Sequence, residues 1–228
     1  MTLLKHEELR AVMFDRPTEQ ALVLTPLLDE AQITEATIDV RLGTEFLVLQ
    51  RTLEPGLDIK TQAQADIEAM HERIVVPIGQ QIWLHPGHFL LASTLEYLRV
   101  PKDLAAYLLG RSSWGRVGLI VATAIMVQPG FTGSLTLELV NDGDSPISLY
   151  PGSRIAQLAV HSLDGITEHD YGSDGKYRAP IGPQPAMLAK EKSEIEAFGR
   201  VKRALDKRLS DRPESAAAVA PDRLVGAK

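Results

Sequence analysis

The run IVVPIGQQIWLHPGHFLLAST, residues 74–94, is followed by LAAYLLG (104–110), GLIVATAIMV (118–127), SLTLELVN (134–141), ISLYPG (147–152) and RIAQLAV (154–160). Each run is short and apolar, and Gly, Pro, Asn or Asp punctuates the series, as expected of strands joined by turns. Strands at this spacing predict an all-β barrel or jelly-roll sandwich and not alternating βαβ units. The phrases LHPG (84–87) and LYPG (149–152) read as equivalent turn-bearing hairpins.

Working outward, Leu4, Leu9, Val12 and Met13 fall near helical spacing and predict a short N-terminal helix over residues 4–14. TIDVRLGTEFLVLQ (37–50) reads as strand, glycine turn, strand. Residues 51–72 are polar and predict a long loop or a helical excursion over 62–70. Residues 164–185 carry glycines, lysine and tyrosines but little core material. Beyond them Met187, Leu188, Ile195, Phe198, Val201, Leu205 and Leu209 trace an apolar stripe at steps of three, four or seven. That stripe marks an amphipathic helix, which must cover its own body, a neighbouring subunit or another protein. The expected organisation is a strand-rich body over 1–182, a helical extension over 183–209 and a tail without fixed structure over 210–228.

Composition narrows the chemistry. With 228 residues and 44% apolar content the chain can bury one substantial core. A net charge of −6 argues against nucleic-acid binding through a basic surface, though a polyphosphate needs only a local group of donors. The chain has no cysteine, which removes disulfides, a thiol nucleophile and thiolate zinc sites. His85 and His88 flank Pro86-Gly87 and suit a turn better than a metal. The start, MTLLKHEELRAVMF, is too charged for a signal peptide and no apolar run approaches 18 residues. A cytoplasmic protein that does not cross a membrane is therefore expected.

Two features could carry chemistry. Gly110-Arg-Ser-Ser-Trp-Gly-Arg-Val-Gly118 gathers two guanidinium forks, Arg111 and Arg116, with the hydroxyls of Ser112 and Ser113. Such donors suit phosphate or carboxylate; a solvent-facing turn between strands accounts for the same residues. In SLTLELVN, alternation places Leu135, Leu137 and Leu139 on one face and Ser134, Thr136, Glu138 and Val140 on the other. Glu138 thus faces either solvent or a pocket, where it could activate a water or shuttle a proton.

These blocks resemble the dCTP deaminase family of the dUTPase superfamily. The similarity runs in order through TIDVRLG (37–43), LHPGHFLLAST (84–94), GRSSWGRVGL (110–119), TA-x-x-x-x-PGFTG (123–133), LTLELVN (135–141), LYPGSRIAQL (149–158) and YGSDGKY (171–177), covering about residues 1–182. The resemblance implies a homotrimer with a distorted jelly-roll core, short accessory helices and active sites between subunits. It implies hydrolytic deamination of a deoxycytidine nucleotide, dCTP to dUTP and ammonia, with Glu138 taking a proton from the attacking water. Arg111, Ser112, Ser113 and Arg116 would contact the triphosphate and organise the base. The backbone near Thr123 and Ala124 would hold the base edge, while Tyr171, Lys176 and Tyr177, extended by Gln184, would close over the phosphates. Magnesium would arrive through the substrate triphosphate, with no protein metal ligands and no zinc.

One stretch departs from the family pattern. GLIVATAIMVQPG (118–130) is one residue short before Thr123, places Ile125 and Met126 where small or polar residues are usual, and has Gln128 in the expected aspartate position. In the family that aspartate belongs to the deoxyribose side of the pocket. In dUTPases its counterpart is tied to water activation, so an amide there speaks against added phosphate hydrolysis. Two alternatives follow from the altered stretch: a non-catalytic nucleotide-binding member, or a deaminase of a different or modified cytosine nucleotide.

Overall fold

A computed structural model describes residues 2–50, 56–61, 63–121, 126–169 and 171–210. The chain divides into two units, residues 1–53 with 65–186 and residues 54–64 with 187–228.

The first unit is built on strands β1 (Thr2–Leu3), β2 (Val23–Thr25), β3 (Ile38–Leu49), β4 (His71–Val75), β5 (Ile82–Leu84), β6 (Phe89–Arg99), β7 (Leu104–Gly110), β8 (Leu119–Val121), β9 (Met126–Val127), β10 (Thr132–Asn141), β11 (Ile147–Leu149) and β12 (Arg154–Ser162). Short helices interrupt them: α1 (His6–Arg10), α2 (Gln64–Ala69), α3 (Ser112–Gly115) and α4 (Tyr171–Asp174). Ten strands form one sheet with the central order β8-β10-β6-β3-β12-β7-β9, and β5 pairs with β11 in a second. Every pairing is antiparallel.

The order itself explains why the sheet curls. Laid flat, β8 and β9 would stand roughly 29 Å apart, six interstrand spacings. Yet Val121 ends one and Met126 begins the other, a chain distance of at most about 18 Å. The edges must therefore approach each other, and the sheet closes partway around a core that includes Ile38, Leu42, Phe46, Leu98, Leu108, Leu137 and Ile155, all essentially inaccessible to solvent. The all-β expectation, with short helices and a C-terminal helix, holds.

LHPG and LYPG are turns as expected, but neither closes a hairpin: each leads from the small β5–β11 sheet to a strand of the large one. β5 and β11 lie side by side, Leu84 opposite Ile147, so LHPG and LYPG leave adjacent strands. Buried Asn141 ties this end together: its side-chain amide donates to the carbonyls of Leu84 and Ser145, both at 2.8 Å, and its Oδ1 accepts from Gly143 N at 2.9 Å.

Gly43 corrects the expectation for residues 37–50. β3 is a single strand of 12 residues with no turn. Its register on β6 shifts between Leu42 and Phe46, and a Cβ at Gly43 would lie 2.7 Å from Ser93 Oγ and 2.9 Å from Ser93 O. The glycine is needed for close approach of two strands at a bulge. The N-terminal helix is likewise shorter than its periodicity, since α1 passes into one wide π-type turn over Ala11–Asp15.

Fully buried Glu96 fastens β6 to β3. Its carboxylate accepts from Arg41 N at 2.8 Å and from Gln32 Nε2 at 3.0 Å. Burial raises its pKa above the ordinary 4.5, opposed by those hydrogen bonds and the Arg41 charge. The folded protein consequently keeps the proton to higher pH than the unfolded chain. The stability this contributes is complete below about pH 4.5 and is lost as pH rises through the folded-state value. Melting curves of the wild type and Glu96→Gln are expected to shift relative to each other, the wild type losing ground as pH increases from 4.5 to 7. A pH-independent difference in Tm would contradict this.

The second unit contains helix α5 (Ala189–Ser210). Among the described residues no helix is long and apolar enough to cross a membrane. The expected tail falls, from residue 211 on, outside the described residues.

Candidate active site

β10 alternates as its sequence requires: Leu135, Leu137 and Leu139 are buried, and Glu138 is exposed. Glu138 opens into a cavity of about 390 Å3. Leu91 of β6 lies directly opposite it in the ladder. Phe89, Met126, Phe131 and Tyr171 provide apolar wall, while Ser134, Thr136, Gln128 and Gln184 bring polar groups. Glu138 is the one carboxylate among the described residues lining the space. A carboxylate beside aromatic and aliphatic walls is placed to bind an uncharged heterocycle and to move a proton on it.

A strap from the end of the body forms the far wall. Ser134 N donates to Pro180 O at 2.9 Å, Gly182 N to Ser134 Oγ at 3.0 Å, and Gln184 N to Thr136 Oγ1 at 3.1 Å. Residues 180–184 therefore run alongside residues 134–136, two strand positions from Glu138. Upstream of the strap, the Tyr171 ring stands 5.9 Å from that of Phe131, and Tyr177 N donates to Tyr171 Oη at 3.4 Å. Both tyrosines line the cavity. Lys176 is not among the lining residues; its ammonium lies 5.9 Å from the Tyr177 ring centre.

Gln128 opens a turn in which its carbonyl accepts from Phe131 N at 3.1 Å, and its amide side chain joins the lining. An amide donates and accepts hydrogen bonds but takes no proton near neutral pH.

The arginine-serine block stands elsewhere. It forms the connection from β7 to β8, with Ser112, Ser113 and Arg116 exposed on or next to α3. None of Arg111, Ser112, Ser113 and Arg116 lines the cavity that holds Glu138. The block is anchored from beneath. Trp114 Nε1 donates to Arg154 O at 2.9 Å, and Arg111 lies 3.6 Å from the carboxylate of Asp39. Asp39 is buried and also pairs with Arg154 at 3.4 Å, which reaches Asp29 at 3.0 Å. Thr123 and Ala124 lie outside the described residues.

Of the site residues expected from sequence, Glu138, Gln128, Tyr171, Tyr177 and Gln184 thus meet in one cavity. Phe131, Leu91 and the pair Asp39–Arg154 were not singled out. Ser134 and Thr136 were legible by alternation as neighbours of Glu138. Asp39 carried a weaker signal, an acid set between the apolar Ile38 and Val40. Among the described residues no group of three or more His, Asp or Glu is placed to hold a metal ion.

The fold and the site define a curled β-sheet protein with a carboxylate cavity, and comparison places it. Its structure is similar to that of a 2'-deoxycytidine 5'-triphosphate deaminase from Agrobacterium tumefaciens, with a TM-score of 0.53 and 25% identity over 70% of this chain and 47% of that longer one. Residues 4–163 match the family model described as dCTP deaminase-like. The chain is 41% identical over 174 residues to a "dCTP deaminase, dUMP-forming" of Methanobrevibacter smithii, covering 75% of this chain and 89% of the relative. It is 40% identical over 185 residues to a "dCTP deaminase" of Halorubrum lacusprofundi, covering 79% and 90%. The chain belongs to the dCTP deaminase-like family, within the dUTPase superfamily. It is an enzyme of the general kind that these relatives' names describe.

Proposed function

We propose that this chain hydrolyses dCTP to dUTP and ammonia, with Glu138 as the proton-transferring group. The observation that carries the reading is Glu138 on β10, the one carboxylate among the described residues lining a cavity whose walls suit a pyrimidine ring. Water adds to C4 of the base as Glu138 takes its proton. The C4–N4 bond then breaks, Glu138 returns that proton to the departing nitrogen, and the second water proton passes to N3 as the C4 carbonyl forms. The apolar walls and the strap exclude bulk water from this exchange.

The phosphates require donors that the cavity does not supply within one chain. Arg111, Ser112, Ser113 and Arg116 form the donor-rich group, and they stand apart from Glu138. The reading therefore joins the cavity of one copy to the 111–116 block of its neighbour in a homotrimer. Asp39 and Arg154 hold that block in place. Tyr171, Lys176 and Tyr177 close over the triphosphate, which carries its own magnesium ion.

Gln128 bears on the product. An amide cannot draw a proton from a second water aimed at the α-phosphate, which supports dUTP as the end point. The competing reading is dUMP formation, favoured by the name of the 41% identical relative. Chromatography of purified protein with dCTP, dCMP and dUTP separates the two. We expect dUTP and ammonia in equal amounts with no pyrophosphate. Equal dUMP and pyrophosphate would establish the competing reading, and saturable binding without turnover would refute both.

A further inference from the structure

We infer that helix α5 pairs antiparallel with the same helix of a second copy of this chain. The helix has 22 residues, about 33 Å, and leaves large apolar side chains in water. Phe198 is 78% exposed, Val201 56% and Leu205 53%. An apolar row of this kind marks a surface that something covers. Ile195, Phe198, Lys202 and Leu205 follow steps of three and four along one seam, the spacing with which two helices interlock.

The charges beside the seam identify the occupant. An antiparallel partner centred at residue 200 sets Ile195 against Leu205 and Phe198 against Lys202, with each contact repeated by the twofold axis. The same register brings Lys192 opposite Asp206 of the second copy, and Glu194 opposite Arg208 of the second copy. Opposite charges therefore meet at both ends on both sides, the arrangement that sets orientation in paired helices. Val201 meets its own copy at the centre. Lys202 can lay its methylene stem and ammonium on the facing Phe198 ring, a polar seam position that fixes register.

A parallel bundle about a threefold axis lacks this match. It would face Glu194 with Gly199 and Val201 with Asp206, leaving no opposite charges in contact. The antiparallel pair also cannot form among chains related by a threefold axis alone, so it joins separate assemblies. Each particle then contains twice the chains that the β body holds together.

Sedimentation of the full chain at micromolar concentration tests this. Phe198→Asp is expected to halve the number of chains per particle and to leave dCTP turnover unchanged. The charge reversal Lys192→Glu with Glu194→Lys should likewise halve it, and adding Asp206→Lys with Arg208→Glu should restore it. An unchanged particle in Phe198→Asp overturns the pairing, as does failure of the second reversal to restore it. Because the chain has no cysteine of its own, Ile195→Cys with Leu205→Cys gives an unambiguous map. Oxidation should link position 195 to position 205 of the other copy; links of 195 to 195 would overturn the antiparallel arrangement.

Discussion

Glu138→Gln is expected to slow dCTP deamination by about a thousandfold, within the range attributed to a positioned acid–base group. The replacement keeps the shape of the side chain and its place opposite Leu91 on β10, but removes its ability to accept a proton from water. Glu138 is exposed to the cavity and lies outside the packed core, so the melting temperature should move little. Nucleotide affinity should also persist, because the cavity walls and the arginine-serine block are untouched. Ammonia release measured beside equilibrium binding of dCTP distinguishes the outcomes. A variant that binds dCTP and turns it over at the wild-type rate would remove Glu138 from the chemistry.

The second large effect is expected at Gly133. This residue has φ +140°, a backbone region that glycine occupies readily and other residues do not. A Cβ there would lie 2.4 Å from Pro180 Cδ and 2.8 Å from Pro180 N. Gly133→Ala must therefore push the strap off β10, weakening its bonds to Ser134 and Thr136 and shifting Gln184 and Tyr177 in the cavity wall. A displacement of about 1 Å in a catalytic site costs on the order of a hundredfold in rate, and kcat/KM should fall by that amount. Backbone strain adds a destabilisation of roughly 1–3 kcal/mol. Trypsin should cut faster after Lys176 and Arg178, which lead into the strap. Unaltered kcat/KM together with unaltered cleavage would show that the strap plays no part in catalysis.

The strands and the face on which Glu138 stands were legible because both rest on local patterns. Alternation through residues 134–140 predicted which face Glu138 shares with Ser134 and Thr136, and β10 follows it from Leu135 to Val140, Ser134 being buried as well. Turn residues marked the ends of β5 and β11 for the same reason. Gly43 was misread because a glycine serving a turn and one admitting a neighbouring strand look identical in one dimension; only the position of Ser93 separates them. The anchoring of Arg111 through Asp39 was hidden because 72 positions separate the two residues along the chain. Binding of the strap to β10 was equally hidden, since it depends on backbone groups of residues 180–184 meeting two hydroxyls. Patterns of side-chain type report faces; they do not report which distant segment will occupy them.

One strand has a consequence for how the molecule comes apart. Residues 38–41 of β3 bond to β12, while its later residues bond to β6 and β4. Asp39, under the arginine-serine block, and Leu47, paired to Leu91 opposite Glu138, thus belong to a single continuous stretch of backbone. Opening either flank therefore strips hydrogen bonds from a strand that the other flank also holds. Its amide protons are therefore expected to be among the slowest of the β body to exchange with solvent. Within this β body the carboxylate cavity and the donor block are accordingly expected to be lost together on denaturation.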